Sequence, residues 1–218
     1  MPRIAPDTRV LVFAKAPQPG SVKTRLIPVL GEERAAALHE ALVRRALATA
    51  TSAYRDRVTL YCAPDTNHPF FHACTATYGV RLTPQATGNL GDRMRHAFDQ
   101  ALKDSASVIL IGSDCPALTA AHLLQAGKLL QEGDDAVFAP AEDGGYGLVA
   151  LRRCAASLFE NIAWGGQTVM EETRARLRQL AWSWRELATV WDVDRPADYE
   201  RLVVSRLLSE STAFMQKD

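Results

Sequence analysis

Ser107-Val-Ile-Leu-Ile-Gly112-Ser-Asp114-Cys-Pro116 is the stretch whose reading decides the fold. Val108 to Ile111 form a short apolar run with β-branched residues, bounded by Ser107 and Gly112, the pattern of a strand buried on both faces of a parallel sheet. Its carboxyl end delivers Asp114, and Pro116 then stops the ladder. Ligands of open α/β sheets sit outside the carboxyl ends of the strands, so Asp114 stands where chemistry is expected. Two roles suit it. Magnesium is held by one or two carboxylates together with substrate phosphates, which makes Asp114 the first candidate ligand; alternatively it caps the helix expected to begin near Leu118.

Outward from this strand, helical and strand patterns alternate. Strands are expected at Thr8–Ala14, Arg57–Ala63, Val80–Thr83, Ala136–Ala139, Tyr146–Leu151 and around Thr189–Val193. Helices are expected at Glu32–Ala53, His68–Tyr78 with Pro69 in its first position, Leu90–Asp104, from Thr119 to near Gly133, Gln167–Leu180 and Pro196–Leu208. The expectation is therefore an α/β protein with a mainly parallel sheet covered by helices on both faces. There is no repeat and no linker long enough to divide the chain, so residues 1–218 are read as one domain, with Ser209 to Asp218 expected to fray.

Composition excludes several classes. In 218 residues, 47% are apolar, enough for a sizeable core, and 25 basic residues balance 25 acidic ones, so no overall basic field exists to hold nucleic acid. Any anionic ligand must be met by a local cluster. The N-terminal apolar run, Val10 to Ala14, is too short for a membrane span or signal peptide, and a cytoplasmic protein is expected. Cys62, Cys74, Cys115 and Cys154 show no C-x-x-C spacing and are expected to be free thiols; Cys115, beside Asp114, is a small buried residue or a thiol to watch. His68 and His72 are four apart, but no third metal ligand is in view.

The one cationic cluster follows the first strand. Lys15-Ala-Pro-Gln-Pro-Gly20-Ser-Val-Lys23-Thr-Arg25-Leu carries three cations and no acid, in a loop able to turn backbone amides and side chains toward one anion. It is either that or a solvated basic surface loop. It is not a Walker A motif, because Val22 and Pro17 stand where glycines are required, and it lacks G-x-G-x-x-G.

Lys23-Thr-Arg-Leu-Ile-Pro28 resembles the Gly-Thr-Arg-Leu/Met opening of nucleotidyltransferases, Ser113-Asp-Cys-Pro116 their aspartate strand end, and Trp191-Asp-Val-Asp194-Arg-Pro196-Ala-Asp198 their late Asp-x-Asp-Thr-Pro-Glu-Asp motif, with Arg195 replacing Thr. With Gly88-Asn-Leu-Gly91-Asp-Arg93, Glu142-Asp143-Gly-Gly-Tyr146 and Trp164-Gly-Gly, the set resembles the bacterial glycosyltransferase-like family. That family is also described as transferase 1, radical-SAM or selenodomain-associated, or of DUF2064 type. It is similar to the GT-A fold of nucleotide-diphospho-sugar transferases, which is Rossmann-like, and to phospholactate guanylyltransferase. The resemblance spans roughly Val10 to Leu202 and is more specific for fold than for reaction.

What it implies is a transferase using magnesium or manganese. Asp114, with Asp194 or Asp192, is implied as metal ligand; Asp192 and Asp194 are placed on one face of the expected strand, and Asp194 is alternatively the cap of the last helix. Lys15, Gly20, Lys23 and Arg25 are assigned to the nucleotide phosphates. Gly88, Asn89, Gly91 and Asp92 are assigned to the base or ribose, with helix capping by Asn89 or Asp92 as the other reading. Asp143 or Glu142 is the candidate base for an acceptor hydroxyl, against an ordinary turn, and Tyr146, Trp164 and Gly165 are candidates to wall the acceptor pocket, against simple core. The expected reaction is sugar transfer from a nucleotide-diphosphate sugar to a small acceptor. The alternatives are nucleotidyl transfer to a phosphorylated small molecule with pyrophosphate release, and a nucleotide-binding module without chemistry. Expected partners are a nucleotide or nucleotide sugar and a small acceptor, with neither nucleic acid nor membrane.

Overall fold

In the computed structural model, which describes residues 7–208, seven strands form one sheet. They are β1 (Thr8–Lys15), β2 (Val58–Ala63), β3 (Arg81–Pro84), β4 (Ser107–Gly112), β5 (Ala136–Pro140), β6 (Tyr146–Leu151) and β7 (Trp184–Glu186), ordered β3-β2-β1-β4-β6-β5-β7. Every neighbouring pair is parallel except where β6 runs against β4 and β5. The helices are α1 (Ile27–Leu30), α2 (Glu32–Tyr54), α3 (Pro69–Tyr78), α4 (Leu90–Ala101), α5 (Ala120–Glu132), α6 (Val169–Gln179) and α7 (Pro196–Ser205). This is the α/β class with a mainly parallel sheet expected above.

Alternation along β1 shows why its strand is apolar on both sides. Val10 and Val12 join Leu47 of α2, Phe71 of α3 and Leu123 of α5 on one face; Leu11 and Phe13 join Met94 and Phe98 of α4 and Leu177 of α6 on the other. A third cluster sits at one end of the molecule, where Leu26, Leu30, Leu38 and Leu42 meet Trp191, Val193 and Leu202. It holds the N-terminal loop, α2 and α7 together. Burial of Leu26 and Leu30 there accounts for the 3₁₀ turn Thr24–Leu26 and the short α1, in a segment whose composition reads as irregular.

Two expectations about elements are corrected. The strand expected around Thr189–Val193 is not formed. That segment crosses from the end of β5 to the end of β4: Val190 donates to the Pro140 carbonyl and bridges Ala141, and Val193 then donates to the carbonyl of Asp114. Glu142 N–H donates to the Val190 carbonyl, so the segment's hydrogen bonds are split between the ends of two strands rather than forming one ladder. The strand on that side is instead β7, three residues long, whose exposed Arg185 and Glu186 suit a sheet edge and hide it from any apolar pattern. The residues Ser209 to Asp218, expected to fray, lie outside the described ones.

Candidate active site

At the carboxyl ends of β1 and β4 the chain opens into a cavity of about 610 Å³, lined by segments spread from Phe13 to Asp194. Phe13 is in register with Gly112, so Lys15 and Asp114, each two residues further on, emerge side by side. Lys15, Lys23, Arg25, Asp114, Asp143, Tyr146, Trp164, Gly165, Asp192 and Asp194 all line this cavity. Gly20, Gly88, Asn89, Gly91, Asp92 and Glu142 do not.

Lys23 and Asp114 are in direct contact. Lys23, with a left-handed backbone (φ 49°), sends its ammonium inward to donate to Asp114 Oδ1 at 2.5 Å and to the Val193 carbonyl at 2.7 Å. Its side chain is buried, whereas that of Asp114 remains half exposed to the cavity. Partial burial pushes the Asp114 carboxyl up, but the Lys23 charge, the neighbouring His39 ring and hydrogen bonds from Lys23 and Ser113 outweigh it and hold the carboxyl below its ordinary range. Asp114 therefore does not cap α5; Thr119 is the N-cap there, and His122 reaches back to it.

His39 carries no sequence motif. Its Nε2 lies 3.0 Å from the Lys15 carbonyl, and its buried Nδ1 has no hydrogen-bond partner among the described residues and faces Asp114 Oδ1 at 4.0 Å. Burial, the largest influence, pushes the ring below its ordinary value, so it is neutral at pH 7. The only signal in the sequence is a polar residue on the buried stripe of α2, four after Ala35 and four before Val43. Gln85 was equally hidden. Its side-chain amide donates to the Tyr61 carbonyl at 2.9 Å and to the Ala14 carbonyl at 3.2 Å, while its oxygen accepts from Arg93 at 3.0 Å. Gln85 thereby fixes Arg93 at the cavity rim.

The crossing segment brings two more acids. Arg25 donates to Asp194 in an exposed pair. Asp194 does not cap α7; Arg195 is the N-cap residue, and the Asp198 carboxylate accepts from the backbone N–H groups of Asp194 and Arg195 at 3.1 and 2.7 Å. Asp192 and Asp194 share the cavity because of this crossing, not because they share a strand face. Burial and the like charges of Asp143, Asp114 and Asp198 push the Asp192 carboxyl up to about 6, against an opposing backbone hydrogen bond.

Of the two candidate bases only Asp143 faces the cavity. Glu142 is gripped bidentately by Arg201, at 2.7 and 3.2 Å, and that guanidinium lies over the Trp191 ring. Asp143 accepts from the Gly145 N–H at 2.9 Å in a turn whose Gly144 has φ +91°. A Cβ on Gly144 would lie 2.0 Å from the Gln167 carbonyl oxygen, and the Gly144 carbonyl accepts from Met170 N–H at 2.9 Å. Glycine is needed for that approach, which joins the Asp143 turn to the start of α6.

Trp164 stands edge-on to Tyr146, which stands edge-on to Phe138. It also explains Gly91, where a Cβ would lie 2.5 Å from the indole nitrogen of Trp164 and 2.6 Å from the Phe159 carbonyl. Asn89 and Asp92 form a reciprocal cap on α4, each accepting from the other's backbone N–H at 3.0 and 3.1 Å. His68 is the N-cap of α3, its Nδ1 accepting from Phe70 N–H at 3.2 Å. All four cysteines are free; Cys115 lines the cavity, and burial with the neighbouring Asp192 and Asp114 charges pushes its thiol well up.

Among the described residues no three ligating side chains form a ready metal cage. Magnesium completed by substrate phosphates needs none. The residues suit such an ion on other grounds: burial first, and then the like charges of Asp143 and Asp114, raise the Asp192 carboxyl, and a divalent cation would relieve that repulsion.

Residues 46–166 match the family described as "Uncharacterized protein conserved in bacteria (DUF2064)". No match to this chain was found among curated proteins. Among solved structures, it is similar to a protein of Desulfovibrio desulfuricans G20 provisionally designated a nucleotide-diphospho-sugar transferase. The two are 30% identical with a TM-score of 0.80, over 97% of this chain and 91% of that one. More distant likenesses include a cytidylyltransferase from Leptospira borgpetersenii, 14% identical with a TM-score of 0.60 over 95% and 90% of the two chains. Glucosyl-3-phosphoglycerate synthase from Mycobacterium tuberculosis, solved with Mn2+, UDP and glucosyl-3-phosphoglycerate, is 14% identical with a TM-score of 0.52 over 92% and 77%. The chain belongs to the bacterial DUF2064 family and has the GT-A-like fold of the nucleotide-diphospho-sugar transferases.

Proposed function

We propose that this protein is a divalent-metal-dependent transferase that moves a sugar from a nucleotide-diphosphate sugar to a hydroxyl of a small acceptor. The observation that carries this reading is the meeting of Lys15, Lys23 and Arg25 with Asp114, Asp192 and Asp194 in one cavity at the strand ends. The designation of the Desulfovibrio relative and the manganese and UDP of the mycobacterial synthase support it.

Lys15 and Arg25, both exposed, meet the phosphates, and Arg25 can grip two oxygens at once after leaving Asp194. Lys23, buried and bonded to Asp114, positions that carboxylate. Asp114, with Asp192 or Asp194, would hold magnesium or manganese, whose charge when bound favours departure of the diphosphate. Asp143 takes the proton of the acceptor hydroxyl; the acceptor oxygen bonds to the anomeric carbon as the bond from that carbon to the diphosphate oxygen breaks, releasing nucleoside diphosphate.

Titration of the purified protein with a panel of nucleotide-diphosphate sugars, with and without magnesium or manganese, tests this reading. Metal-dependent binding is expected, and failure of every nucleotide overturns it. Nucleotidyl transfer is the second reading, favoured by a basic loop whose exposed Lys15 and Arg25 suit a triphosphate. Pyrophosphate release from nucleoside triphosphates in the presence of phosphorylated acceptors would decide for it.

A further inference from the structure

Lys15, Lys23, Arg25 and Arg93 all line the cavity, but their partners differ. Lys23 and Arg25 each hold a carboxylate, those of Asp114 and Asp194. Arg93 holds none among the described residues. Its guanidinium donates from Nη1 to the Gln85 side-chain oxygen at 3.0 Å and from Nε to the Asn89 carbonyl at 3.4 Å. Gln85 is itself fixed, because its amide nitrogen donates to the carbonyls of Tyr61 and Ala14 and its backbone N–H to that of Cys62. Neutral groups thus tie the Arg93 guanidinium to the carboxyl ends of β1 and β2, orienting its charge without cancelling it. Lys15 also has no acid partner among the described residues, but it is exposed, and a lysine ammonium is a movable point charge. Helix stability does not account for Arg93 either, since it stands at the first turn of α4, where the helix dipole disfavours a cation.

The place of Arg93 in the fold says which substrate it meets. Asp114 lies against His39 of α2, and α2 and α4 cover opposite faces of the sheet. A diphosphate sharing a metal with Asp114 and Asp194 therefore lies on the α2 side. Arg93 is on the α4 side, where Gly91 packs against the Trp164 indole and Tyr146, Trp164 and Gly165 line the cavity. We propose that Arg93 receives an anionic group of the acceptor, a phosphate or a carboxylate, so that the acceptor is a hydroxy compound that itself carries that charge. This rests on the reading of the cavity as a transfer site. Nη2 and the second hydrogen of Nη1 remain for the ligand, and a guanidinium matches two oxygens of one oxyanion. An anion arriving at Lys23 or Arg25 has to displace a carboxylate; at Arg93 it displaces only solvent. Arg93 is partly exposed, so its free edge can be reached without any shift of the core.

The test compares glycerol, glycerol 3-phosphate and glycerate, which share a small hydroxylated body and differ in its anionic group. Each is titrated calorimetrically into the full chain, alone and with magnesium and a nucleoside diphosphate. At least one anion is expected to bind about tenfold or more tighter than glycerol, and the tighter of the two names the group. Arg93→Gln is expected to remove that advantage while affinity for the nucleoside diphosphate stays within about threefold. Arg93→Lys, which keeps the charge but not the fork, is expected to remove part of it, and Arg25→Ala to leave it intact. Thermal unfolding shows which variants are folded. An anion advantage that is absent, or that survives in folded Arg93→Gln and Arg93→Lys, overturns the inference. So does a loss in Arg93→Gln that falls on the nucleoside diphosphate instead. If no nucleotide binds at all, the proposed function fails, and the titrations of the protein alone, read with the Arg93 and Arg25 variants, still decide this inference.

Discussion

The Lys23 ammonium lies 2.5 Å from the Asp114 carboxylate across 91 positions of sequence, with its side chain buried and that of Asp114 half exposed. This contact joins the basic loop to the end of β4. Lys23→Met keeps the apolar stem and removes the charge, leaving Asp114 beside a neutral side chain. Because Asp114 is held below its ordinary value, the pair contributes above the unfolded carboxyl's pKa, and the contribution is lost as pH falls through the folded value. Lys23→Met is expected to cost about 2 kcal/mol at pH 7, less than a fully buried pair would, and clearly less at pH 3. Urea unfolding at the two pH values checks this.

Arg25 should behave in the opposite way. Its pair with Asp194 is exposed on both sides, so Arg25→Ala is expected to change stability by less than about 0.5 kcal/mol. Its affinity for a magnesium nucleoside diphosphate is expected to fall at least about tenfold, the loss of a bidentate phosphate contact. Calorimetric titration beside thermal unfolding separates the two effects.

Asp192 sets a pH dependence. In the fold its carboxyl holds a proton up to about pH 6, through burial and the charges of Asp143 and Asp114. The unfolded chain releases that proton near pH ~4. Between those values the folded form binds more protons, so stability falls as pH rises through the window. Asp192→Asn removes that loss. In metal-free buffer it is expected to exceed the parent in stability by about 1 kcal/mol at pH 7.5, after allowance for solvent screening, and to match it below pH ~4. An equal difference at both pH values would contradict the assignment.

The two neighbouring acids of the 142–145 turn make a paired comparison. Asp143→Asn is expected to lower kcat by about 10²- to 10⁴-fold with nucleotide binding retained. Glu142→Gln, whose parent side chain is turned away and held by Arg201, is expected to leave kcat within about threefold. Reversal of that order would move the base to Glu142.

Gly91→Ala tests a packing role. The added methyl would lie 2.5 Å from the Trp164 indole nitrogen and 2.6 Å from the backbone oxygen of Phe159, which cannot yield as a flexible side chain would. A loss of about 2 kcal/mol is expected, with a change in Trp fluorescence, because the ring or α4 must shift.

By itself the sequence determined most strands of the sheet and the end at which Asp114 emerges. Buried parallel strands must be apolar on both faces, and that pattern marks Val10 to Ala14 and Val108 to Ile111 and places Asp114 where they end. Helix starts were legible for a similar reason, since Pro69, Thr119 and Pro196 act through local backbone chemistry. Tertiary structure alone decided what depends on partners distant in the chain. The 190–194 segment has the composition of a strand, yet its hydrogen bonds are divided among Pro140, Glu142, Asp114, Lys23 and Asp198, and no local pattern records where a partner lies. The same holds for His39, a helix residue until Asp114 is folded against it, and for Gln85, whose three bonds all cross between elements. It holds for the sorting of Glu142 from Asp143, which are adjacent in sequence and separated only by an arginine 59 residues away.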